Sequence, residues 1–308
     1  MAENTYYIPQ LGLVIAVEIS YTAGLMTNLF IVGVTALDCL KGRPLTPADH
    51  LITGIATSRI IFQLIILFNV SWIIFNGEHS EAFDVAIYFL GNYSVYCNIC
   101  FSVLLSVFYS LKISNFHNVF FLCLRKMITQ RLLGLTIIFV LLSIGYSLVV
   151  FLLHLPVTWN NSTQSDNGSD HLRFMMYVLY MLWNVLPFFF YAVSCFALLG
   201  SLFHHMCRMR RENNVIGRMD AYTKTIKFTI VSFWCFALYV TINVYGTYFL
   251  DFFALVLAWN SFLLLHSMYL IYMTARLREY LWKILQSLVP EPAVSMYNND
   301  TVPQPTEL

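Results

Sequence analysis

Charged residues are scarce in this chain. Asp, Glu, Lys and Arg make up 11% of its 308 residues, whereas hydrophobic residues make up 59%. This composition excludes a water-soluble domain, because a fold of this length cannot bury so much apolar surface. Runs of about 20 apolar residues with at most one charge predict seven membrane spans instead. The spans are expected at roughly 11–37, 51–75, 83–111, 132–157, 174–203, 228–249 and 252–275.

Catalytic and cofactor motifs are missing as well. The chain has no H-E-x-x-H, no G-x-x-x-x-G-K-[ST] and no G-x-S-x-G, so nothing supports an enzyme or a bound cofactor. The predicted seventh span has no lysine, which excludes a light sensor with a retinal Schiff base. Transporters often have repeated halves or broken spans, but here only Pro187 lies well inside a span. A receptor is favoured, with a channel or a small-solute transporter as the alternatives.

Lys and Arg are almost absent from the loops on one side of the predicted bundle. Of the 17 basic residues, 15 lie in the loops joining spans 1–2, 3–4 and 5–6 or in the segment after span 7, and the opposite loops contain only Arg173. Because cytoplasmic loops collect basic residues, we expect the N-terminus outside and the C-terminus inside. The outer loop TWNNSTQSDNGSD has glycosylation sequons at Asn160, Asn161 and Asn167, with Asn161 the first choice.

The segment after the last span alternates apolar and basic residues. Its sequence ARLREYLWKILQSL predicts an amphipathic helix at about 276–289, lying on the anionic inner leaflet. The polar, proline-containing tail 290–308 is expected to be disordered. The chain is thus predicted to be all-α, with a seven-transmembrane helix bundle and surface helix over 1–289. Membrane lipid, with sterol as one candidate, is an expected partner; nucleic acid is not.

Several segments resemble one receptor family. The stretch SVFYSLKISNFHNVFFLCLRKM, residues 106–127, closely resembles the third span and second inner loop of the type 2 taste receptors, the bitter taste receptors. Further resemblances follow in the family's order: LTPADHLITGIATSR, SLFHHMCRM, AYTKTIKFTIVSFWCFALY and LLHSMYLIY. The D-R-Y, C-W-x-P and N-P-x-x-Y signatures of rhodopsin-like receptors are absent. Departures in NFHNVFF and YMTARLRE indicate a divergent member, and the type 1 vomeronasal receptors are the alternative family.

The resemblance implies a chemosensory receptor for small bitter compounds in the plasma membrane. Its partner would be a heterotrimeric G protein with a gustducin-like alpha subunit. Arg59 lies near mid-membrane, where an unpaired guanidinium costs at least ~2.5 kcal/mol, so it must face the bundle. Whether it only locks the packing or acts as a switch is open. The residues expected in activation or G-protein coupling are Asn28, Arg59, Tyr109, Lys112, His205, Arg208, His266 and Ser267.

The same resemblance places the ligand in the outer half of the bundle. Counting helical turns outward from Tyr109 brings Val95, Asn92 and Tyr88 to one stripe of span 3. Tyr239 is expected at the position of a deep activation switch. The alternative interpretation is that these aromatic residues only pack the bundle. The expected ligand-binding set is Asn69, Trp72, Tyr88, Gly91, Asn92, Val95, Tyr96, Tyr180, Trp183, Tyr239, Asn243, Trp259 and Asn260.

Overall fold

A computed structural model gives the structure of the chain. It describes residues 4–76, 81–113, 119–160, 166–211, 216–246 and 249–288. All regular structure in these ranges is helical, and seven of the helices are long and apolar enough to cross a membrane, which confirms the predicted fold class. The helices are α1 (Asn4–Leu40), α2 (Pro47–Asn76), α3 (Glu81–Ile113), α4 (Val119–Asn160), α5 (Asp166–Arg211), α6 (Ile216–Thr241), α7 (Phe252–Met273) and α8 (Ala275–Leu288).

Helix α3 lies at the centre of the bundle and packs against α2, α4 and α5. In the most apolar stretch of α3, 78% of the residues are buried, whereas in the corresponding stretch of α4 only 22% are buried. Helix α1 packs against α2 and α7, and α5 packs against α6. The exposed side of α4 carries residues such as Leu133 and Leu141, as expected of a surface that faces lipid. We call the end of the bundle that carries α8 the inner end and the opposite end the outer end.

The turn between α1 and α2 is fixed by local hydrogen bonds. Gly42 has a φ of 67°, in the left-handed region that glycine adopts without strain, and its N–H donates to the Cys39 carbonyl. Helix α2 then begins with a capping box. The Thr46 N–H donates to Asp49 Oδ2 at 2.9 Å and the Asp49 N–H donates to Thr46 Oγ1 at 3.3 Å. The Asp49 carboxylate is therefore held at the inner end of α2.

Two irregularities shape the long helices. Helix α4 bends at Arg131, whose φ of −121° and ψ of 25° are not helical, immediately before the predicted start of the fourth span. Helix α6 continues into a π-helical turn, Ile242–Gly246, where Asn243 is buried. At Gly246 a Cβ would lie 2.7 Å from Leu255 Cδ1, so any larger residue here would displace the Leu255 side chain of α7.

Helix α8 follows α7 after a single extended residue, Thr274, with φ −84° and ψ 110°. The Thr274 N–H still donates to the Leu270 carbonyl of α7, and the Arg278 N–H donates to the Thr274 carbonyl. Leu277 is buried against the bundle while Trp282 is 58% exposed. This confirms the amphipathic surface helix, and the tail 290–308 lies outside the described residues.

Candidate functional site

The buried guanidinium of Arg59 on α2 is the centre of a polar network between helices. Its Nε donates to Asn98 Oδ1 of α3 at 2.9 Å. From the two other nitrogens, Nη1 donates to Ser267 Oγ of α7 at 2.7 Å and Nη2 lies 2.7 Å from His266 Nδ1. Because Arg cannot accept a hydrogen bond, it donates to Nδ1, which fixes a neutral His266 ring with its proton on Nε2. The hydrogen bonds compensate the cost of burying this charge.

The network extends from α7 to α1. Ser267 Oγ donates to Asn28 Oδ1 at 2.8 Å, and Asn28 Nδ2 donates to the Gly24 carbonyl at 2.9 Å and to Gln63 Oε1 at 3.4 Å. A Cβ at Gly24 would overlap the Gln63 amide, so the glycine leaves room for this amide beside Asn28. We call this network, Asn28, Arg59, Gln63, Asn98, His266 and Ser267, the polar hub. It joins α1, α2, α3 and α7.

Sequence reasoning named four members of the polar hub, Asn28, Arg59, His266 and Ser267, and the structure brings these four together. It missed Asn98 and Gln63. Both are amides within apolar spans, and polar residues at membrane depth usually face the bundle interior, so this signal was available.

An inner cavity of about 340 Å³ lies between α3, α5, α6, α7 and the start of α8. His266 lines this cavity and also belongs to the polar hub, so the two features meet at one ring. Two cations, Lys224 and Arg278, line the cavity near the inner end. Other lining residues include Ser102, Ser106, Tyr109, Tyr191, Thr229, Thr274 and Ala275.

Tyr109 is placed between α3 and α6 at this inner cavity. Its ring meets Phe228 of α6 edge-on, with 6.3 Å between centroids. His205, another predicted coupling residue, is half-buried near the inner end of α5. The side chains of Lys112 and Arg208 lie outside the described residues. Of the predicted activation and coupling residues whose side chains the structure describes, Tyr109 and His266 line this cavity.

Part of the predicted ligand-binding set converges above the polar hub. The Tyr180 hydroxyl donates to the Asn243 carbonyl at 2.6 Å, and Asn243 Nδ2 donates to the Tyr239 carbonyl at 3.0 Å. Tyr239 is buried, and its ring stacks on Phe262 with 5.0 Å between centroids; Phe262 in turn stacks on His266 of the polar hub at 6.1 Å. Trp259 Nε1 and Asn260 Oδ1 are buried with no hydrogen-bond partner among the described residues. We call Tyr180, Tyr239, Asn243, Trp259 and Asn260 the outer cluster.

The remaining predicted ligand-binding residues lie around this cluster. Val95 packs against the same core as Tyr239. Tyr96 and Trp183 instead pack with Tyr146 of α4, with 4.8 Å between the Tyr146 and Trp183 ring centroids. The others lie toward the outer ends of α2 and α3, and the predicted span-3 stripe thus divides between the core and the outer rim. This last group is Asn69, Trp72, Tyr88, Gly91 and Asn92.

At the outer rim the contacts are mostly local. Trp72 stacks on Phe83 with 5.2 Å between centroids, which joins α2 to α3. Asn92 Nδ2 donates to the Tyr88 carbonyl one turn earlier in its own helix at 2.8 Å. A Cβ at Gly91 would meet nothing within 4 Å, so the space beside this residue is open. Asn161 and the side chains of Asn160 and Asn167 lie outside the described residues.

Seven helices that could cross a membrane, with a buried cationic hub among four of them and a cavity at one end, define a polytopic membrane protein. The sequence profile of the family described as Taste receptor protein (TAS2R) matches residues 5–289. The chain is 30% identical over 245 residues to taste receptor type 2 member 10 of Homo sapiens, covering 74% of this chain and 76% of that protein. It is 25% identical over 257 residues to taste receptor type 2 member 113 of Rattus norvegicus, covering 79% and 78%.

The chain therefore belongs to the type 2 taste receptors, a family of chemosensory G-protein-coupled receptors of the plasma membrane. A further relative is taste receptor type 2 member 105 of Rattus norvegicus, which is 30% identical over 216 residues and covers 67% of this chain. The resemblance seen in the sequence is confirmed, and the family match decides against the vomeronasal alternative. The family consists of receptors, not enzymes.

Proposed function

We propose that this receptor binds small bitter compounds in the outer half of its helix bundle and activates a heterotrimeric G protein with a gustducin-like alpha subunit. In this proposal the N-terminus and the sequon-rich loop are extracellular, and α8 lies on the cytoplasmic leaflet. The supporting observation is a continuous path of contacts across the bundle. It runs from Tyr239 through the stacked Phe262 ring to His266, which pairs with Arg59 and lines the inner cavity.

The outer cluster has the chemistry expected of a broadly tuned small-molecule site. Trp259 and Tyr239 offer aromatic surface, and the Trp259 pair with Phe62 is edge-on at 5.9 Å between centroids. The Asn260 Oδ1 acceptor and the Trp259 Nε1 donor are buried without partners among the described residues. A buried polar group without a partner is costly, so a ligand that pairs with either group gains affinity. Few polar groups and much apolar wall favour breadth over selectivity.

The inner cavity is the proposed site for the G protein. A helix with its side chains is about 10–12 Å wide and rises about 1.5 Å per residue, so 340 Å³ holds only about two or three helical residues. The cavity must therefore widen before a partner helix can enter. At the cavity, α6 is joined to α3 by the Tyr109 to Phe228 ring pair and to α7 by the Lys224 ammonium 5.5 Å above the Tyr272 ring. The cations Lys224 and Arg278 suit a partner segment bearing carboxylates.

This path of contacts supplies a physical link between the two sites. A ligand that moves Tyr239 shifts the Phe262 ring and with it His266, and Arg59 must then find a new set of acceptors. Because these groups are buried, discrete rearrangements of the network are favoured over small distortions that leave a donor unpaired. We propose that the polar hub has two such arrangements and that agonist and G protein favour the same one.

Replacing Tyr239 with alanine is expected to raise the half-maximal agonist concentration by tenfold or more, on the order of 1.4 kcal/mol. The variant loses the aromatic wall and the ring contact with Phe262 that leads to the polar hub. Tyr245→Ala is the matched control, because Tyr245 lies six residues further along and is 55% exposed. Calcium responses at equal surface expression measure the shift. Unchanged potency in Tyr239→Ala for several unrelated agonists would place the binding site elsewhere.

The proposed orientation predicts glycan on the second outer loop. Treating receptor from mammalian cells with an N-glycosidase should increase its gel mobility, and Asn161→Gln should remove most of that shift. Asn160→Gln and Asn167→Gln are the neighbouring comparisons, because all three sequons lie within one short loop. Glycosyltransfer occurs only on the lumenal side, so the readout reports topology. Mobility that is unaffected by the enzyme in the wild type would argue against this orientation.

A further inference from the structure

Three charged side chains from distant parts of the chain meet at the inner end of the bundle. Asp38 lies in the last turn of α1, Asp49 in the first turn of α2 and Arg276 in the first turn of α8. Arg276 Nη1 and Nη2 each lie 3.1 Å from an oxygen of Asp49, and Nη1 lies 3.3 Å from Asp38 Oδ2. One guanidinium therefore bridges two carboxylates. We call these three residues the α8 latch.

The α8 latch is more than a pair of exposed charges. The Asp38 side chain is fully buried and that of Arg276 is only 25% exposed. The Tyr280 hydroxyl, one turn after Arg276, donates to Asp38 Oδ1 at 2.7 Å. Arg43 also approaches Asp38 at 3.5 Å, but its side chain is 62% exposed, so it contributes little. A buried carboxylate that loses its partner is strongly destabilised, so Asp38 depends on Arg276 and Tyr280.

The direction of α8 needs such a constraint. Between α7 and α8 the chain has a single extended residue, Thr274, so rotation about two backbone angles can reorient the helix. The buried Leu277 gives one apolar anchor, with Tyr280 and Leu281 packed at its side. Apolar packing resists removal of the helix but discriminates poorly between orientations. A guanidinium fork on a carboxylate has a defined geometry and supplies that discrimination.

The same helical turn forms part of the inner cavity. Thr274, Ala275 and Arg278 line the cavity, while Arg276 contacts Asp38 and Asp49 on the other side of the turn. A rotation of α8 that breaks the contacts of Arg276 must therefore move the cavity wall as well. The contacts of Asp38 and Asp49 thereby fix the surface that a partner entering the cavity would meet.

We propose that the α8 latch is a positioning device for G-protein coupling: Asp38, Asp49 and Arg276 hold α8 so that its first turn completes the inner cavity. This inference rests on the proposed function of that cavity. Breaking the α8 latch should lower the maximal response while agonist potency changes little. About 15 residues of α7, or about 22 Å of helix, separate Trp259 from Thr274, so the outer cluster keeps its geometry.

The test uses Arg276→Gln alone and combined with Asp49→Asn. Arg276→Gln leaves two carboxylates facing each other without their shared cation, so it should be the more damaging variant. The second substitution removes one of these charges and should partly restore function, whereas two independent structural defects would add. Glu279→Gln and Lys283→Gln are the controls. These residues form an exposed pair on the same helix, with side chains 66% and 64% exposed.

Two readouts distinguish a failure of the α8 latch from a failure of the proposed function. In purified full-length receptor in lipid nanodiscs, hydrogen exchange of the α8 amides should accelerate at least about fivefold in Arg276→Gln, with α7 amides unchanged. In cells, the maximal calcium response to the most active compound of a bitter panel should fall at least about fivefold at equal surface expression. The double variant should recover part of both losses, and the two controls should match the wild type.

The outcomes that would contradict these proposals differ in which proposal they refute. Wild-type exchange and a wild-type response in Arg276→Gln would refute the α8 latch, and so would equal losses in the two controls. Faster exchange of α8 with an unchanged maximal response would refute its role in coupling. If no compound activates the wild type, the proposed function fails instead, and the exchange experiment alone then decides whether the α8 latch holds the helix.

Discussion

Replacing Arg59 with alanine should abolish agonist responses at every concentration and reduce the amount of receptor at the cell surface. The substitution removes the donor that satisfies Asn98, Ser267 and His266 in the buried centre of the bundle. Leaving a buried polar group unsatisfied costs about 1–3 kcal/mol, and three such groups represent a large part of a stability of roughly 5–15 kcal/mol.

Arg59→Lys separates charge from geometry. A lysine keeps the positive charge but has a point-like ammonium without the planar fork, so it cannot reach α3 and both α7 acceptors together. We expect surface expression closer to wild type with a strongly reduced maximal response. Ser267→Ala, which removes one hydrogen-bond partner of Arg59 and the link to Asn28, should have a smaller effect. Surface labelling and calcium imaging of the same cells measure both quantities. Wild-type responses in Arg59→Ala would refute the role of the polar hub.

Tyr109→Ala should lose signalling while surface expression persists. Tyr109 lines the inner cavity and lies on α3, the central helix, so a partner entering the cavity would contact its ring. Loss of an aromatic contact at the centre of an interface typically costs about 2 kcal/mol or more. Tyr109 is partly buried and packs on Phe228 and on the edges of two apolar clusters, and the cavity lies beside it, so we expect the bundle to tolerate the change. G-protein activation and surface labelling in the same cells check this.

Tyr109→Phe is the matched control for this position. It keeps the ring that packs on Phe228 and removes only the hydroxyl, so we expect responses close to wild type. Lys112→Ala, one turn further along α3, is expected to lose signalling in the same way. Raised agonist-independent activity in Tyr109→Ala would contradict the prediction, because it would mean that this ring holds the cavity closed and does not contact the partner.

The membrane spans could be predicted because the bilayer imposes a length and an apolar composition on each helix. The surface helix was equally predictable from its alternation of apolar and basic residues. Arg59 could be assigned to the bundle interior since lipid would not tolerate its charge. Its acceptor Asn98 was not identified, because the choice of neighbour depends on the rotation of α3, which is buried on most sides and has no clear amphipathic face.

The outer residues show the same limit. A count of helical turns places Tyr96 near the predicted stripe but cannot show that α4 supplies Tyr146 as its neighbour. The contacts of the α8 latch could not be predicted from the sequence for another reason. Arg276 and Asp49 are separated by 227 positions, and each is a charged residue of the kind commonly found at the inner end of a span. Charges near the inner surface satisfy the topology rule whether or not they pair, so only their packing reveals the contact.

The measurement closest to the central claim is a screen of bitter compounds on cells that express this chain, with and without a co-expressed gustducin-like alpha subunit. We predict a calcium response to at least one compound that requires both the receptor and the alpha subunit, and that Arg59→Lys diminishes at equal surface expression. Labelled-solute uptake and membrane conductance recorded in the same cells should stay at the level of cells without the receptor. The account would be contradicted if the wild-type receptor reached the cell surface and responded to no compound. It would also be contradicted if its response persisted without any G protein.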